Sequence, residues 1–265
     1  MRSLRRDGTA LFYEEAQGGE PPVLLVHGIG CDHTYFAPQF EHFARRGRRV
    51  VTVDLRGHGK SDKPYQSYTM QLFSDDLAWT CEQIGLKKPV VIGHSLGGVV
   101  VLALAMRFPN VPSAIVLVDA PVVRPADARV AMGRFVERLR NASYHNYQQL
   151  MRGYVLSVLC IPTDDRERKE RIAQEMSSSP QHVIVSAFEN MEAYDPTETG
   201  GALAVPGLYV EANEPQPRSD MVRLREMLPQ LLAGKTVGSG HFCQLEVPEQ
   251  VNAMIDHFLA ITLAG

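Results

Sequence analysis

Short apolar runs alternate with helical patterns along the first 120 residues of the chain. Each run is rich in leucine or β-branched residues and has few polar positions, which is typical of strands covered on both faces of a parallel sheet. Four runs have this character: Val23–Val26, Val50–Val53, Val90–Ile92 and Ala114–Val118. The alternation predicts an α/β domain in which right-handed crossovers connect the strands.

Helices are predicted between the later strands of this half. Between residues 69 and 85, apolar residues recur at spacings of four and three, and Gly85 then supplies a stop. A second helix is expected to run from Leu96 to Phe108, because Pro109 cannot continue it.

The chain ends with the same alternation, but its middle part differs. Val205–Glu211 and Lys235–Val237 are predicted strands, and a helix with Pro248 near its first turn follows them. The segment 121–200 contains two charged, helix-like stretches and no convincing strand. We therefore expect a helical insertion at 121–200 within one core domain, which residues 1–120 and 201–265 form.

Composition excludes several classes of protein. The 265 residues are 45% hydrophobic and 22% charged, as in ordinary globular domains, and 27 basic against 30 acidic residues give a net charge of −3. Such a balance predicts no nucleic-acid partner. No apolar run approaches the roughly 18 residues of a membrane span, and the basic N-terminal stretch is not followed by an apolar one.

The four cysteines show neither paired nor metal-like spacing, and the other ligand-type residues do not cluster at metal spacing. We therefore expect a soluble cytoplasmic protein that acts on a small molecule, with no metal or organic cofactor and no membrane partner.

The stretch VIGHSLGG predicts a sharp strand-to-helix turn with Ser95 at its apex. Such a turn needs small flanking residues, and Gly93 and Gly97 occupy those two positions. The following helix points its N-terminus at the serine, where its free N–H groups and its dipole favour negative charge. Ser95 is therefore a candidate nucleophile.

A second glycine-flanked loop follows the strand Val23–Val26 in VLLVHGIG. Acyl transfer needs donors for the oxyanion that forms on the carbonyl oxygen. The backbone N–H groups of Ile29 and of Leu96, the residue after the candidate nucleophile, are expected to supply them. His27 is expected to be structural, because at a strand end its ring can satisfy loop backbone groups.

The chain resembles the α/β-hydrolase superfamily in four segments, VLLVHGIG, VTVDLRGHGKSDKP, VIGHSLGG and GSGHF. The resemblance covers nearly the whole chain outside the insertion. It implies the α/β-hydrolase fold, a mostly parallel twisted sheet with helices on both faces, and a helical cap at 121–200. It also implies Ser95 as the nucleophile, His241 as the general base, and Ile29 and Leu96 as the oxyanion donors.

The acid that completes the triad is ambiguous in the sequence. Most relatives place it after the strand that follows the cap, in a Gly-x-x-Asp turn. In LYVEANEPQP, however, Ala212 stands at the glycine position and Pro215 at the aspartate position, so Glu214 would serve only with a shift of one residue. The other location follows the strand before the cap, where AIVLVDAP contains Asp119.

The C-terminal part is most similar to haloalkane and fluoroacetate dehalogenases, which draw their acid from the strand before the cap. Their nucleophile is an aspartate, whereas position 95 is serine, so their halide chemistry is not expected here. Asp119 is the predicted acid and Glu214 the alternative; Glu211, Asp220 or no acid at all stay open.

These motifs predict a serine hydrolase that cleaves a small carboxylic ester or lactone through an acyl-enzyme. The same scaffold also allows carbon–carbon bond hydrolysis of a diketone-type substrate, or ligand binding without hydrolysis. Five residues of the insertion, although more typical of ordinary packing, are candidates to line an acyl pocket: Tyr144, Tyr147, Met151, Tyr154 and Phe188.

Overall fold

The computed structural model describes residues 2–199 and 203–263, which contain one eight-stranded sheet in the order β1-β2-β4-β3-β5-β6-β7-β8. The β1/β2 and β2/β4 pairs are antiparallel and all other pairs are parallel. The strands are β1 Arg2–Arg6, β2 Thr9–Ala16, β3 Gly19–Val26, β4 Arg48–Val53, β5 Val90–His94, β6 Ala114–Val118, β7 Gly207–Glu211 and β8 Leu231–Lys235.

Ten α-helices are present in the described part of the chain: α1 Ala37–Arg45, α2 Met70–Gln83, α3 Leu96–Arg107, α4 Ala126–Arg140, α5 Tyr144–Tyr154, α6 Arg166–Ser177, α7 Gln181–Ala193, α8 Met221–Met227, α9 Cys243–Glu246 and α10 Pro248–Thr262. Short 3₁₀ turns cover His33–Phe36 and Pro196–Thr199, and a π turn at Val155–Leu159 continues α5.

The predicted fold class is confirmed, and most strand and helix positions agree with the sequence pattern. Two strands, the edge strand β1 and its neighbour β2, were not predicted. The last strand was predicted at the wrong place: it covers Leu231–Lys235 and not Lys235–Val237. This strand lies at the edge of the sheet and most of its residues are exposed or half-buried, so no apolar run marks it. The prediction followed the β-branched residues after Lys235 instead, and these lie beyond the strand.

The sheet is buried on both faces, as the apolar runs predict. Along β3, Leu24 and Val26 join one apolar cluster while Val23 and Leu25 join the other, because successive side chains point to opposite faces. Helix α3 is buried at all but one of its residues, so it lies at the centre of the molecule. This packing holds the turn before α3 rigidly in place.

Helices α4 to α7 lie between β6 and β7 in the chain, and the described part of the insertion contains no strand. The predicted boundary between residues 200 and 201 lies outside the described residues. The division into a core and a cap therefore stays a prediction.

A buried ion pair fixes the loop after β4. The Arg56 guanidinium donates through Nε and Nη2 to the two carboxylate oxygens of Asp76, both at 2.8 Å, and both side chains are at most 4% exposed. Arg6 Nη1 donates to the same carboxylate. These contacts tie the DLRGHGKS segment after β4 to helix α2.

Replacing Asp76 with alanine is expected to lower the free energy of unfolding by about 3–5 kcal/mol, because it leaves a buried guanidinium without its partner. Asp75→Ala is the matched control on the same helix: its pair with Arg107 is about a third exposed, so a loss of about 0–1 kcal/mol is expected. Urea unfolding of both variants measures the difference, and equal losses would contradict it.

Candidate active site

Ser95 stands in a strained turn between β5 and α3. Its backbone has φ 53° and ψ −120°, in the left-handed region that non-glycine residues rarely occupy, at a cost of about 1–3 kcal/mol. The glycines around it have no room for a side chain. A Cβ on Gly97 would lie 2.3 Å from the carbonyl oxygen of Val26, and one on Gly93 would lie 2.3 Å from that of Gly97. The turn thus presents Ser95 at the carboxyl end of β5.

Asp119 and His241 are brought together across 122 positions of the chain. His241 Nδ1 lies 2.6 Å from Asp119 Oδ2, and both side chains are buried. Asp119 follows β6 directly and has φ 44°, which an aspartate tolerates better than most residues. Its other oxygen, Oδ1, accepts the backbone N–H of Ala212 at 3.0 Å. Both oxygens of this carboxylate therefore have a donor.

The electrostatics suit a base that starts neutral. Burial lowers the pKa of His241 below its usual value, although the hydrogen bond with Asp119 opposes the shift, so the imidazole is neutral near pH 7. Burial by itself would raise the pKa of Asp119. The hydrogen bond and the charge of Arg218 outweigh burial and hold that pKa below its usual value. Asp119 is therefore ionised beside a neutral histidine.

Glu214, the alternative acid, lies behind this pair. Its Oε1 is 3.7 Å from His241 Nδ1, beyond hydrogen-bonding distance, while its Oε2 is 2.5 Å from Arg218 Nη2. Burial and the negative charge of Asp119 raise the pKa of Glu214 to about 9, so it is protonated at neutral pH. Asp119 is the better placed of the two carboxyl groups to accept from His241.

The loop that carries His241 is held by the segment after α5. The His241 N–H donates to the Leu159 carbonyl at 3.0 Å, and the Gly240 N–H donates to Asp164 Oδ1 at 2.8 Å. The second oxygen of Asp164 accepts the N–H of Ile161. A buried carboxylate of the insertion thus braces both its own loop and the loop of the candidate base.

The two predicted oxyanion donors flank the serine. Leu96 is the first residue of α3, and Ile29 belongs to the loop after β3. A Cβ placed on Gly28 would lie 3.1 Å from the Ser95 Cβ, so the loop that contains Ile29 runs beside the serine. Neither the Ile29 nor the Leu96 N–H donates a hydrogen bond to a described residue. Both remain available to an oxygen held at Ser95.

Ser95 and His241 line one small cavity of about 20 Å³, little more than the space for a water molecule. Core loops and helices of the insertion both contribute to its wall. The lining residues are Gly28, Ile29, Cys31, His94, Ser95, Pro121, Arg124, Tyr154, Leu159, Met176, Phe188, Met191, Arg218, His241 and Phe242.

Two of the five candidate pocket residues of the insertion, Tyr154 and Phe188, line this cavity. Of the others, Tyr147 and Met151 are fully buried in the apolar core, whereas Tyr144 is 52% exposed. Cys31 also reaches the cavity, but burial raises the pKa of its thiol well above the usual value, so it is not a thiolate.

Sequence reasoning missed the two arginines of the cavity, Arg124 and Arg218. Each follows the carboxyl end of a strand by a few residues, β6 for Arg124 and β7 for Arg218. Ligand-binding side chains gather at that edge of a parallel sheet, and this position was the one signal that could have found them.

Two groups of three ligand-type side chains lie within 4.8 Å of one another in the described residues: Asp119, Glu214 and His241, and Asp32, His33 and Asp54. The Arg218 guanidinium, with Nε 3.8 Å from Asp119 Oδ2, opposes a cation at the first group. In the second group, Asp54 already accepts hydrogen bonds from His33 and from the N–H of Lys60. Hydrogen bonding thus accounts for both groups without a metal ion.

The chain belongs to the alpha/beta hydrolase fold family, whose model matches residues 21–171. It is 35% identical to a bifunctional esterase/perhydrolase of Acinetobacter calcoaceticus over 110 residues, which cover 41% of this chain and 40% of that protein. The first curated relatives are each matched over less than half of their own length.

Two solved structures resemble the chain over almost its whole length. An esterase from Thermogutta terrifontis, solved with malate bound, is 26% identical with a TM-score of 0.83, and the match covers 99% of each chain. An enol-lactonase from Burkholderia xenovorans LB400 is 20% identical with a TM-score of 0.84, covering 98% of this chain and all of that one. The second likeness is one of fold alone.

Within residues 2–199 and 203–263, no helix combines the length and the apolar character that crossing a membrane requires.

Proposed function

We propose that the protein is a serine hydrolase that cleaves a small carboxylic ester or lactone. The observation that carries the proposal is the buried hydrogen bond of 2.6 Å between His241 and Asp119 beside the cavity that Ser95 lines. A strained serine, a neutral histidine and an ionised aspartate in chain order Ser, Asp, His match the requirements of nucleophilic acyl transfer on this fold. The esterase relatives support the same reaction class.

In the first half of the reaction, Ser95 Oγ attacks the acyl carbon while His241 Nε2 takes the hydroxyl proton. The carbonyl oxygen becomes an oxyanion, which accepts hydrogen bonds from the backbone N–H groups of Ile29 and Leu96. Asp119 accepts the Nδ1–H of His241, fixes the tautomer and stabilises the imidazolium. The bond to the alcohol oxygen then breaks, and the alcohol leaves with the proton from His241; in a lactone it stays attached to the acyl group.

In the second half, water attacks the acyl-enzyme while His241 accepts one of its protons. The bond between the acyl carbon and Ser95 Oγ breaks, His241 returns the proton to Ser95, and the acid is released. No other reactant is consumed.

The proposal extends to the organisation of the chain, with residues 1–120 and 201–265 as the core and 121–200 as a helical cap. Seven residues of the insertion contribute to the cavity wall, among them Tyr154, Met176 and Phe188, which supports a role of the cap in selecting the substrate.

Trapping the acyl-enzyme tests the proposal directly. After brief incubation with 4-nitrophenyl acetate and acid quenching, we expect the intact mass to rise by one acetyl group, located on the peptide that contains Ser95. The Ser95→Ala variant should show no such adduct, whereas Cys31→Ala, which removes the cavity thiol, should keep it. An adduct that survives in Ser95→Ala would mean that another residue is the acylated nucleophile, and the absence of both adduct and ester turnover in the wild type would favour the carbon–carbon hydrolase or binding hypothesis.

A further inference from the structure

Two guanidinium groups line the cavity that Ser95 and His241 share, although apolar side chains form much of its wall. The side chains of Arg124 and Arg218 are only 8% and 9% exposed. Burying a charged group costs free energy unless it is paired and hydrogen-bonded. Two buried guanidinium groups beside the candidate nucleophile are therefore expected to have partners for their charge and for their N–H donors.

The protein satisfies these donors only in part. Arg124 donates through Nε to Glu192 Oε1 at 2.7 Å, and its two Nη nitrogens make no hydrogen bond with a described residue. Arg218 uses Nη2 for the Val158 carbonyl at 2.6 Å and for Glu214. Its Nε is buried and has no hydrogen-bond partner among the described residues.

Tyr154, at the end of α5, adds a phenol to the two guanidinium groups among the cavity residues. This hydroxyl makes no hydrogen bond with a described residue, and the charges of both arginines act on it. A phenol and two guanidinium groups offer N–H and O–H donors, and a guanidinium has no acceptor at all. The chemical complement of this set is an anion with several acceptor oxygens.

Arg124 forms an ion pair with Glu192, whereas the carboxyl groups near Arg218 neutralise that guanidinium only in part. One carboxylate oxygen of Asp119 accepts a hydrogen bond from His241 and the other accepts one from the Ala212 N–H. Arg218 Nε lies 3.8 Å from Asp119 Oδ2. Glu214 is protonated at neutral pH, since its pKa is raised to about 9, so it carries no charge to balance Arg218. The positive charge of Arg218 therefore extends toward the cavity.

We infer that the substrate is an acidic ester or lactone, whose carboxylate binds Arg124 and Arg218 while its scissile carbonyl lies at Ser95. Guanidinium–carboxylate pairs form short, charge-assisted hydrogen bonds and can be bidentate. In a small, buried cavity they discriminate strongly against an uncharged analogue, because that analogue would leave the buried donors without an acceptor. The inference rests on the proposed acyl transfer at Ser95 and specifies its substrate class.

The test compares two esters of the same shape and different charge, monomethyl succinate and its amide analogue methyl succinamate. The wild type is expected to hydrolyse the acid with a kcat/KM about 10- to 100-fold higher than the amide, as for a lost hydrogen bond to a charged group. Methanol release measures both rates. Succinate should also inhibit competitively against 4-nitrophenyl acetate.

Arg124→Gln is the decisive variant, because Arg124 makes no hydrogen bond or ion pair with Asp119 or His241 among the described residues and acts on His241 only through its charge. Its preference for the acid should fall at least about 10-fold and its inhibition by succinate should weaken, while Arg124→Lys keeps part of both. The matched control is Arg129→Gln, which removes the same charge from an exposed position of the insertion and should leave the ratio unchanged.

The ratio of the two esters is insensitive to a general loss of activity, so failures of the two proposals are distinguishable. Equal turnover of both esters by the wild type, or a preference that Arg124→Gln retains in full, overturns the inference and leaves the serine hydrolase intact. Turnover of 4-nitrophenyl acetate without turnover of monomethyl succinate also overturns it. Absence of every ester activity and of the acetyl adduct overturns the proposed function as well.

Discussion

The Ser95→Ala variant is expected to lose turnover of 4-nitrophenyl acetate by a factor on the order of 10⁶ in kcat, the scale at which a serine nucleophile acts with its base as one unit. Without Oγ, no acyl-enzyme forms and His241 has no proton to accept. The residual rate should still exceed that of water, because the N–H groups of Ile29 and Leu96 would continue to stabilise an oxyanion. The residual rate is measured from progress curves of 4-nitrophenol release at high enzyme concentration. These curves should show no initial burst.

A glycine at the same position provides the matched control for stability. Ser95 holds φ 53°, which alanine tolerates no better than serine, whereas glycine adopts it without steric cost. Ser95→Gly should therefore be as inactive as Ser95→Ala and at least as stable as the alanine variant in thermal unfolding. Retention of more than about a tenth of wild-type kcat by either variant would mean that another group carries the acyl transfer.

The Ser95 turn could be predicted because local sterics dictate it. The close approach of β5, α3 and the end of β3 leaves room only for glycine at two positions, and those glycines are visible in the sequence around the serine. The apolar strands were equally visible, because a parallel sheet buried on both faces leaves no polar alternation. In contrast, the edge strand β1 and its neighbour β2 pair antiparallel and have several exposed or half-buried positions, so no continuous apolar run marks them.

The cavity could not be predicted in the same way, because its polar residues come from irregular segments. Arg124 and Arg218 stand on loops with no periodicity, and the parallel pairing of β6 with β7 brings these two loops to one edge of the sheet. The sequence also could not decide which carboxylate completes the triad. Asp119 and Glu214 each follow a strand whose end faces the loop of His241, and distance alone separates them: 2.6 Å against 3.7 Å from Nδ1.

The Asp119→Asn variant tests whether Asp119 is the acid of the triad. Its expected loss in kcat is second only to that of Ser95→Ala. Asparagine tolerates the backbone of position 119, with φ 44°, about as well as aspartate, so folding should be preserved. Its amide nevertheless leaves His241 with a donor where an anion is needed, which favours the wrong tautomer. The expected loss in kcat is up to about 10⁴-fold, whereas Glu214→Gln should lose less than about 10-fold.

The pH dependence of Asp119→Asn should also reveal Glu214 as a reserve acid. The charge of Asp119 contributes to raising the pKa of Glu214 to about 9; without it that pKa falls, and the carboxylate 3.7 Å from His241 Nδ1 ionises at lower pH. Only the ionised form can stabilise an imidazolium. The residual activity of Asp119→Asn should therefore rise with pH through the pKa of Glu214, and this rise should vanish in the double variant Asp119→Asn/Glu214→Gln.

The double variant also separates the two assignments in energetic terms. If Asp119 is the acid and Glu214 its reserve, Glu214→Gln should cost more in the Asp119→Asn background than in the wild type, because it then removes the one remaining carboxylate beside His241 among the described residues. A cost of Glu214→Gln in the wild type larger than that of Asp119→Asn would reverse the roles. Glu214 would then accept from Nδ1, and Asp119 would serve to raise the pKa of Glu214.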